Sequence, residues 1–271
     1  VAVISFFFNK NKIHNLNKVC LSLNKISKST EINIITNNIS NKDYQKIKKN
    51  IKTKVNIIII KQALHDRLLP WYHYELMRKS FKKKNTTHFI YLEDDILINK
   101  ENFNYWINSR KYLKKLNLIP GFLRTEKYKN NKDLYAIDYI KKKRINSIPT
   151  IPVNKDLSFL NTKYPYQGMY LYDRELMKEH LHGPSSNPDC GHGAFDTNFL
   201  DKKMVNLDLM AKANIGLTYI NVPEGFFNRI VIPFNLGKNQ IDHICQIKHL
   251  SNKYINKKSW FGNIKVKDVV I

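Results

Sequence analysis

The first hundred or so residues alternate between short apolar segments and segments whose apolar residues recur at helical spacing. The apolar segments VAVISFFF, EINIITNN and KVNIIIIK, which start at residues 1, 31 and 54, are predicted strands, and the last reads as fully buried. Helices are predicted between them, over residues 12–26 and 41–52, and a longer helix is expected to open at Pro70. This order predicts an α/β fold with a mostly parallel central sheet flanked by helices.

The pattern continues less regularly after residue 98. A helix is predicted over 99–118 and a strand over 121–128, followed by a poorly defined region with a short hairpin around Leu134–Ile140. Further predictions are a strand at 164–173, helices at 174–181 and 194–213, an extended segment at 217–234, and a partly helical tail over 239–254. We find no internal repeat and no flexible linker, which favours a single domain over residues 1–271.

The chain is strongly basic, with 46 Lys and Arg against 22 Asp and Glu and a net charge of +24. This balance indicates an acidic partner: a nucleic acid, an anionic membrane surface or a phosphate-bearing substrate. An AT-rich genome produces the same excess of Lys, Asn and Ile without selection for binding. The 3 scattered cysteines suit a reducing compartment, and no signal peptide or membrane span is recognisable, so a cytoplasmic location is expected.

The segment THFIYLEDDILI places three carboxylates, Glu93, Asp94 and Asp95, within an otherwise apolar strand. Strand alternation would put Glu93 and Asp95 on one face and Asp94 on the other. Isolated buried carboxylates are costly unless they are paired or bind a metal. At the carboxyl end of a parallel strand, two converging carboxylates suit a hard divalent cation. The competing interpretation is that these acids cap the next helix or pair with lysines.

An apolar strand that ends in an acidic D-x-D-like motif, here Glu93-Asp94-Asp95, resembles the GT-A fold of nucleotide-sugar-dependent glycosyltransferases. The resemblance covers roughly the first hundred residues by element order, and the motif by residue type. It implies a GT-A-like, Rossmann-type sheet and a smaller C-terminal portion on the acceptor side. It also implies that Asp95 binds Mn²⁺ or Mg²⁺, and that Glu93 or Asp94 lies near the ribose and sugar. Glu93 departs from the strict motif, so Asp95 is the most secure of the three.

The same resemblance implies further catalytic and metal-binding residues. The family often has a histidine ligand near the C-terminal end of the catalytic domain, for which His249 is favoured over His243. An inverting enzyme needs a general base, and Asp196 fits its usual place, with Glu224 the second candidate and His192 a weaker one. A retaining mechanism would not require this base.

Nucleotide-binding residues are implied at the ends of the first and third predicted strands. The candidates are Phe8, Asn9, Gln62 and Arg67, and each is a weak signal when taken alone. The tyrosine-rich segment at 164–173 reads either as core packing or as a surface that stacks on a sugar. The basic run at 141–144 reads either as a solvated face or as a contact for anionic lipid.

The favoured hypothesis is a metal-dependent glycosyltransferase of the hexosyl or N-acetylhexosaminyl type. Residues 1–126 would bind the nucleotide-sugar, with a UDP-sugar favoured, and residues 127–271 would bind the acceptor and form the tail. The acceptor is expected to be a glycan or glycolipid in bacterial surface polysaccharide or lipopolysaccharide assembly. Peripheral contact with an anionic membrane at its cytoplasmic face is a further expectation.

Two alternatives belong to other classes. A nucleic-acid-binding protein, or a metal-dependent nucleic-acid-processing protein, would explain the charge, but the basic residues are spread along the chain and no recognised module is present. A nucleotidyltransferase acting on sugar phosphates shares the sheet and the acids. It typically has a glycine-rich loop after the first strand, whereas the segment SFFFNKNK contains no glycine.

Overall fold

The computed structural model describes residues 1–27, 29–128, 132–139, 142–187, 209–255 and 262–270. The chain divides into two compact units. Unit 1 comprises Val1–Leu97 and Gly168–Leu217, and unit 2 comprises Ile98–Gln167 and Thr218–Ile271. Unit 1 therefore takes chain from both of the halves predicted from the sequence. The binding roles assigned to those halves stay predictions.

The elements alternate between the two units along the chain. Unit 1 begins with β1 (Ala2–Phe6), α1 (Ile13–Ile26), β2 (Ile32–Asn37), α2 (Asn41–Asn50), β3 (Asn56–Ile60), α3 (His73–Lys82), β4 (His88–Glu93) and β5 (Ile96–Leu97). Unit 2 follows with α4 (Lys100–Leu113), β6 (Ile119–Pro120), β7 (Leu123–Lys127), β8 (Leu134–Ala136), β9 (Thr150–Pro152) and β10 (Leu157–Leu160). Unit 1 resumes with β11 (Met169–Asp173), α5 (Arg174–His182) and α6 (Leu209–Ile215). Unit 2 ends with β12 (Ile230–Asn235), β13 (Gln240–Ile241), β14 (Gln246–His249) and β15 (Ile264–Lys265).

The sheet of unit 1 has the strand order β11-β4-β1-β2-β3. The strands β4, β1, β2 and β3 are parallel, and only β11 runs antiparallel, against β4. This arrangement confirms the predicted α/β class with its mostly parallel central sheet. The prediction that the third strand is fully buried is wrong: β3 is partly exposed because it lies at the edge of the sheet and has one neighbour.

The helices of unit 1 form where the sequence alternates a polar and an apolar face. In α1, the buried apolar positions recur three or four residues apart: Ile13, Leu16, Val19, Cys20 and Leu23. The third helix begins at His73 and not at Pro70, because residues 69–72 form a separate 3₁₀ turn that contains the proline. No described helix of the protein is long and apolar enough to cross a membrane.

Unit 2 contains strands in two arrangements. One has the order β13-β12-β10-β9, with β6 pairing beside β12. In the other, β7 pairs with β14 in parallel and with β8 antiparallel, and β8 pairs with β15. The extended segment predicted at 217–234 is largely wrong, since only Ile230–Asn235 forms a strand. The preceding chain turns instead, and Gly216, Asn221 and Gly225 there adopt positive φ.

The partly helical tail is also a wrong prediction. Residues 239–254 form β13, a single 3₁₀ turn and β14. The burial pattern shows why: Cys245, Ile247 and His249 are buried while Gln246 and Lys248 between them are more exposed. This two-residue period is that of a strand with one buried face.

A cluster of buried aromatic and histidine side chains packs β11 and α3 together in unit 1. The His73 ring stacks on Tyr91 with 4.0 Å between centroids, and its Nε2 accepts a hydrogen bond of 2.6 Å from the Tyr170 hydroxyl. The Nδ1 atom of His73 donates to the Pro70 carbonyl. Burial lowers the pKa of His73 to about 3 and holds the pKa of His180 well below its usual range. Both histidines are therefore neutral in the folded protein near pH 7.

Acidification should destabilise the protein through this cluster. The unfolded state binds more protons than the folded state between about pH 3 and 6.5, so stability falls as the pH decreases through this window. Relative to pH 7, His73 alone should cost ~2 kcal/mol at pH 5. Urea unfolding at both pH values measures the loss. His73→Asn should lower stability at pH 7 yet shrink the acid-dependent loss, whereas exposed His14→Asn should change neither; an unchanged loss in His73→Asn would contradict this account.

Candidate functional site

The acid cluster lies where the central strand β4 ends. Glu93 is the last residue of β4, and Asp94 and Asp95 form the turn that leads to β5. Asp94 and Asp95 lie beyond the strand, so strand alternation does not place them. The predicted convergence of Glu93 and Asp95 is nevertheless found, since a carboxylate oxygen of each lies within 4.8 Å of one of the other. All three are buried, with 3 to 8% of their surface exposed. The carboxyl ends of the parallel strands β4, β1 and β2 meet at this edge of the sheet, which is the usual ligand-binding edge of α/β sheets.

Glu93 is held on both its backbone and its side chain. Its N–H donates to the carbonyl of Gly168 at 3.1 Å, and Gly168 adopts a φ of 63°, a conformation that favours glycine. Its Oε1 accepts a hydrogen bond of 2.5 Å from Nδ2 of the buried Asn214 on α6. Sequence reasoning missed Asn214, because nothing local marks it and it lies one residue beyond the helix predicted over 194–213. The orientation of the Glu93 carboxylate is thus fixed by a helix distant in sequence.

Asp94 is the most perturbed of the three acids. Its Oδ1 lies 3.7 Å from the Lys12 Nζ, and its buried Oδ2 has no hydrogen-bond partner among the described residues. Burial, and then the charge of Asp95, raise the pKa of Asp94 to about 7, against the opposing effect of Lys12. Burial lowers the pKa of Lys12, but the nearby acids outweigh it and leave that pKa above its usual value. A buried oxygen in this condition calls for a proton donor or a cation.

His249 of unit 2 is buried at the end of β14. The prediction that it lies near the end of a helix is wrong. Its Nδ1 hydrogen-bonds Oε1 of Glu126, a buried residue of β7 that sequence reasoning missed. The other carboxylate oxygen, Oε2, accepts the backbone N–H groups of Tyr254 at 3.1 Å and Ile255 at 2.9 Å. The Ser251 Oγ lies 3.2 Å from the Nε2 atom of the same imidazole.

Three of these residues have the chemistry of metal ligands. Glu93 and Asp95 in unit 1 and His249 in unit 2 are buried, and each could supply one ligand atom to a metal ion. Two carboxylates and one imidazole suit first-row divalent cations such as Mn²⁺.

The predicted nucleotide contacts follow the parallel strands of unit 1. Phe8 is half-buried and its N–H donates to Oδ1 of Asn37 at 2.7 Å, which joins the segment after β1 to the last residue of β2. Asn9 is exposed and caps the next 3₁₀ turn. Gln62 and Arg67 are exposed in the turns after β3. That strand is three positions from β4, or about 14 Å at the usual strand spacing, so Phe8 and Asn9 start closer to the acids.

Of the predicted catalytic bases, only Glu224 lies among the described residues. Asp196 and His192 lie outside the described residues. Glu224 is exposed in a turn of unit 2. His243, the disfavoured metal ligand, has an exposed side chain that lies near Glu101 and Asp242.

Comparisons with known proteins found matches among solved structures only. No family model and no curated protein matches the sequence. Solved structures similar to this chain include a galactosyltransferase, LgtC, in complex with donor and acceptor sugar analogues (13% identity, 85% of this chain and 72% of that chain, TM-score 0.38). Another is S. aureus TarS 1–349 (13% identity, 84% and 59%, TM-score 0.37). A third is a CMP:2-keto-3-deoxy-manno-octonic acid synthetase complexed with CTP (12% identity, 67% and 77%, TM-score 0.35).

Glycosyltransferases are thus among the solved chains that this one is similar to.

The hydrogen bond between Asn214 and Glu93 should contribute measurably to stability. Asn214→Ala removes a donor from a buried carboxylate and should lower the free energy of unfolding by about 1–3 kcal/mol. Urea denaturation measures the change, and Asn24→Ala, at an exposed position of α1, serves as the control. Equal stability of the Asn214 and Asn24 variants would contradict this role.

Proposed function

We propose that the protein transfers a sugar from a nucleotide-sugar to a glycan acceptor with the help of a divalent metal ion. The observation that carries the proposal is the acid cluster at the carboxyl end of β4. Three buried carboxylates lie there within one strand end and its turn. Nearby positive charge in the described part of unit 1 comes from the half-buried Lys12. Such a concentration of negative charge is stable only with compensation, and a cation provides it.

The residues fit Mn²⁺ or Mg²⁺ as the ion. Asp95 and His249 are the proposed ligands, and Glu93 offers a further carboxylate oxygen. A bound ion would neutralise the charge that develops on the diphosphate leaving group of the donor.

The remaining acid suits the sugar part of the donor. The Asp94 Oδ2 atom lacks a hydrogen-bond partner among the described residues, and a carboxylate oxygen accepts hydrogen bonds from sugar or ribose hydroxyls. Asn214 holds Glu93 in one orientation, which keeps this side of the site rigid. Phe8, Asn9, Gln62 and Arg67 are proposed to contact the nucleotide.

The acceptor side of the reaction is proposed on chemical grounds. In an inverting reaction, Asp196 or Glu224 would take the proton of the attacking acceptor hydroxyl. A UDP-sugar and a glycan or glycolipid of a bacterial surface polysaccharide or lipopolysaccharide are the favoured substrates. The net charge of +24 supports work at the cytoplasmic face of an anionic membrane.

A ligand panel should identify the donor class. UDP-sugars, and not GDP- or CMP-sugars, are expected to raise the melting temperature in the presence of Mn²⁺ and to raise it less with EDTA, because ligands stabilise the state they bind. Differential scanning fluorimetry measures the shifts. Stabilisation by nucleoside triphosphates alone would favour a nucleotidyltransferase, and no response across the panel would overturn the proposal.

Loss of Asp95 should abolish metal-dependent chemistry. Asp95→Asn keeps the size of the side chain but weakens a ligand for a hard cation, so sugar transfer should fall by 100-fold or more, a loss on the scale of one electrostatic contact in a transition state. Release of the nucleoside diphosphate from the donor measures turnover. Asp156→Asn, at an exposed position of unit 2, should turn over like the wild type. Retained metal-dependent activity in Asp95→Asn would disprove the metal assignment.

Two substitutions compare the candidate bases. Replacing the residue that acts as the base by its amide, in Asp196→Asn or Glu224→Gln, should lower kcat by a factor of roughly 10²–10⁴ with little change in KM for the donor. The variant should also lose the acidic limb of the kcat profile against pH. Normal kcat in both variants would argue for a retaining mechanism.

A further inference from the structure

Glu126 and His249 form a buried pair in unit 2. Neither side chain has measurable exposure, and Oε1 of Glu126 hydrogen-bonds Nδ1 of His249. The two residues come from neighbouring parallel strands, β7 and β14. The pair is thus built into the sheet and does not belong to a mobile surface.

The second oxygen of Glu126 is committed as well. Its Oε2 accepts the backbone N–H groups of Tyr254 and Ile255 at 3.1 and 2.9 Å. These bonds fix the plane of the carboxylate, which cannot turn away from His249 without leaving two amide groups unsatisfied. The direction from which Glu126 contacts the imidazole is therefore fixed.

This contact determines which tautomer His249 adopts. An ionised carboxylate only accepts hydrogen bonds, so the imidazole nitrogen that faces it must carry the proton. With Nδ1 protonated, the lone pair of a neutral imidazole is on Nε2. Ser251 Oγ lies 3.3 Å from Nδ1 and 3.2 Å from Nε2, so it does not distinguish the two nitrogens, and the contact with Glu126 decides the tautomer.

We propose that Glu126 is a positioning residue that fixes His249 in the Nδ1–H tautomer, so that Nε2 is the atom offered to the metal ion. This inference rests on the proposed function, because His249 is a metal ligand only under that proposal. Carboxylates that hold the far nitrogen of a ligating histidine orient the ring and raise its basicity. Glu126 would supply both effects without contacting the ion or the substrate.

A purely structural role for Glu126 makes a different prediction. In that case its function is to hold the backbone of Tyr254 and Ile255, and the tautomer of His249 is immaterial. Glu126→Gln separates the two roles. The amide oxygen can still accept the two backbone N–H groups, while the amide NH₂ now faces Nδ1 and donates to it. The imidazole proton then moves to Nε2, and the lone pair is withdrawn from the ligand position.

Nitrogen-15 NMR of protein labelled at histidine reads the tautomer directly. The His249 signals are those missing from His249→Gln. The wild type is expected to show the Nδ1–H tautomer, and Glu126→Gln the Nε2–H tautomer. An Nε2–H tautomer in the wild type would overturn the proposal, whether or not any variant folds.

Mn²⁺ titration followed by electron paramagnetic resonance gives the second readout, which requires no turnover. Glu126→Gln should weaken Mn²⁺ binding 10- to 100-fold, and Glu126→Asp, which keeps a carboxylate, should recover part of the loss. The matched control is Glu101→Gln, since Glu101 lies 3.5 Å from His243 in an exposed Glu–His pair; it should bind Mn²⁺ like the wild type.

The Asp95→Asn variant distinguishes failure of the positioning role of Glu126 from failure of the proposed function. If Asp95→Asn loses Mn²⁺ and Glu126→Gln does not, the positioning role fails while the proposed function stands. If Asp95→Asn binds Mn²⁺ as tightly as the wild type, the proposed function fails together with the metal role of Glu126. Weaker binding in both variants, with the tautomer change in Glu126→Gln, supports both.

Discussion

The burial of three carboxylates at the end of β4 is the constraint that the rest of unit 1 accommodates. Parallel pairing of β4 with β1 places Glu93 opposite Ser5 and brings the loop after β1, with Lys12, to the same edge. Asn214 reaches Glu93 from α6. These contacts offset only part of the cost of burying charge, and the pKa of Asp94 therefore stays raised. Because the burial of these carboxylates is not fully compensated, the site is suited to binding a cation or hydrogen-bond donors.

The sheet of unit 1 could be predicted from sequence because its signals are local. The apolar segments of β1, β2 and β4 and the polar starts of the helices are visible within short windows. The partial exposure of β3 was not predictable, since IIII reads the same at the centre and at the edge of a sheet. The order of strands decides that difference, and it depends on contacts between distant segments.

The residues of the candidate site also divide into those that the sequence marks locally and those that only distant contacts reveal. Glu93, Asp94 and Asp95 stand out because acids are rare in apolar strands, and His249 followed from a family resemblance. Asn214 and Glu126 carry no such mark: each is an ordinary polar residue whose partner lies more than a hundred positions away. His249 was placed on a helix because the histidines and isoleucines of the tail are compatible with either period. Residues that orient a site are recognised by what they touch, which a single sequence does not contain.

The discontinuity of unit 1 has a consequence for how the chain folds. The chain leaves this unit after Leu97 and returns at Gly168, whose carbonyl accepts the N–H of Glu93. The four parallel strands are complete once residue 93 has been made, but β11 closes a loop that holds the whole first segment of unit 2. Such a closure is entropically costly and slow compared with local pairing. During synthesis, the acid-bearing end of β4 therefore emerges early and spends the time needed to make about seventy further residues as an open sheet edge.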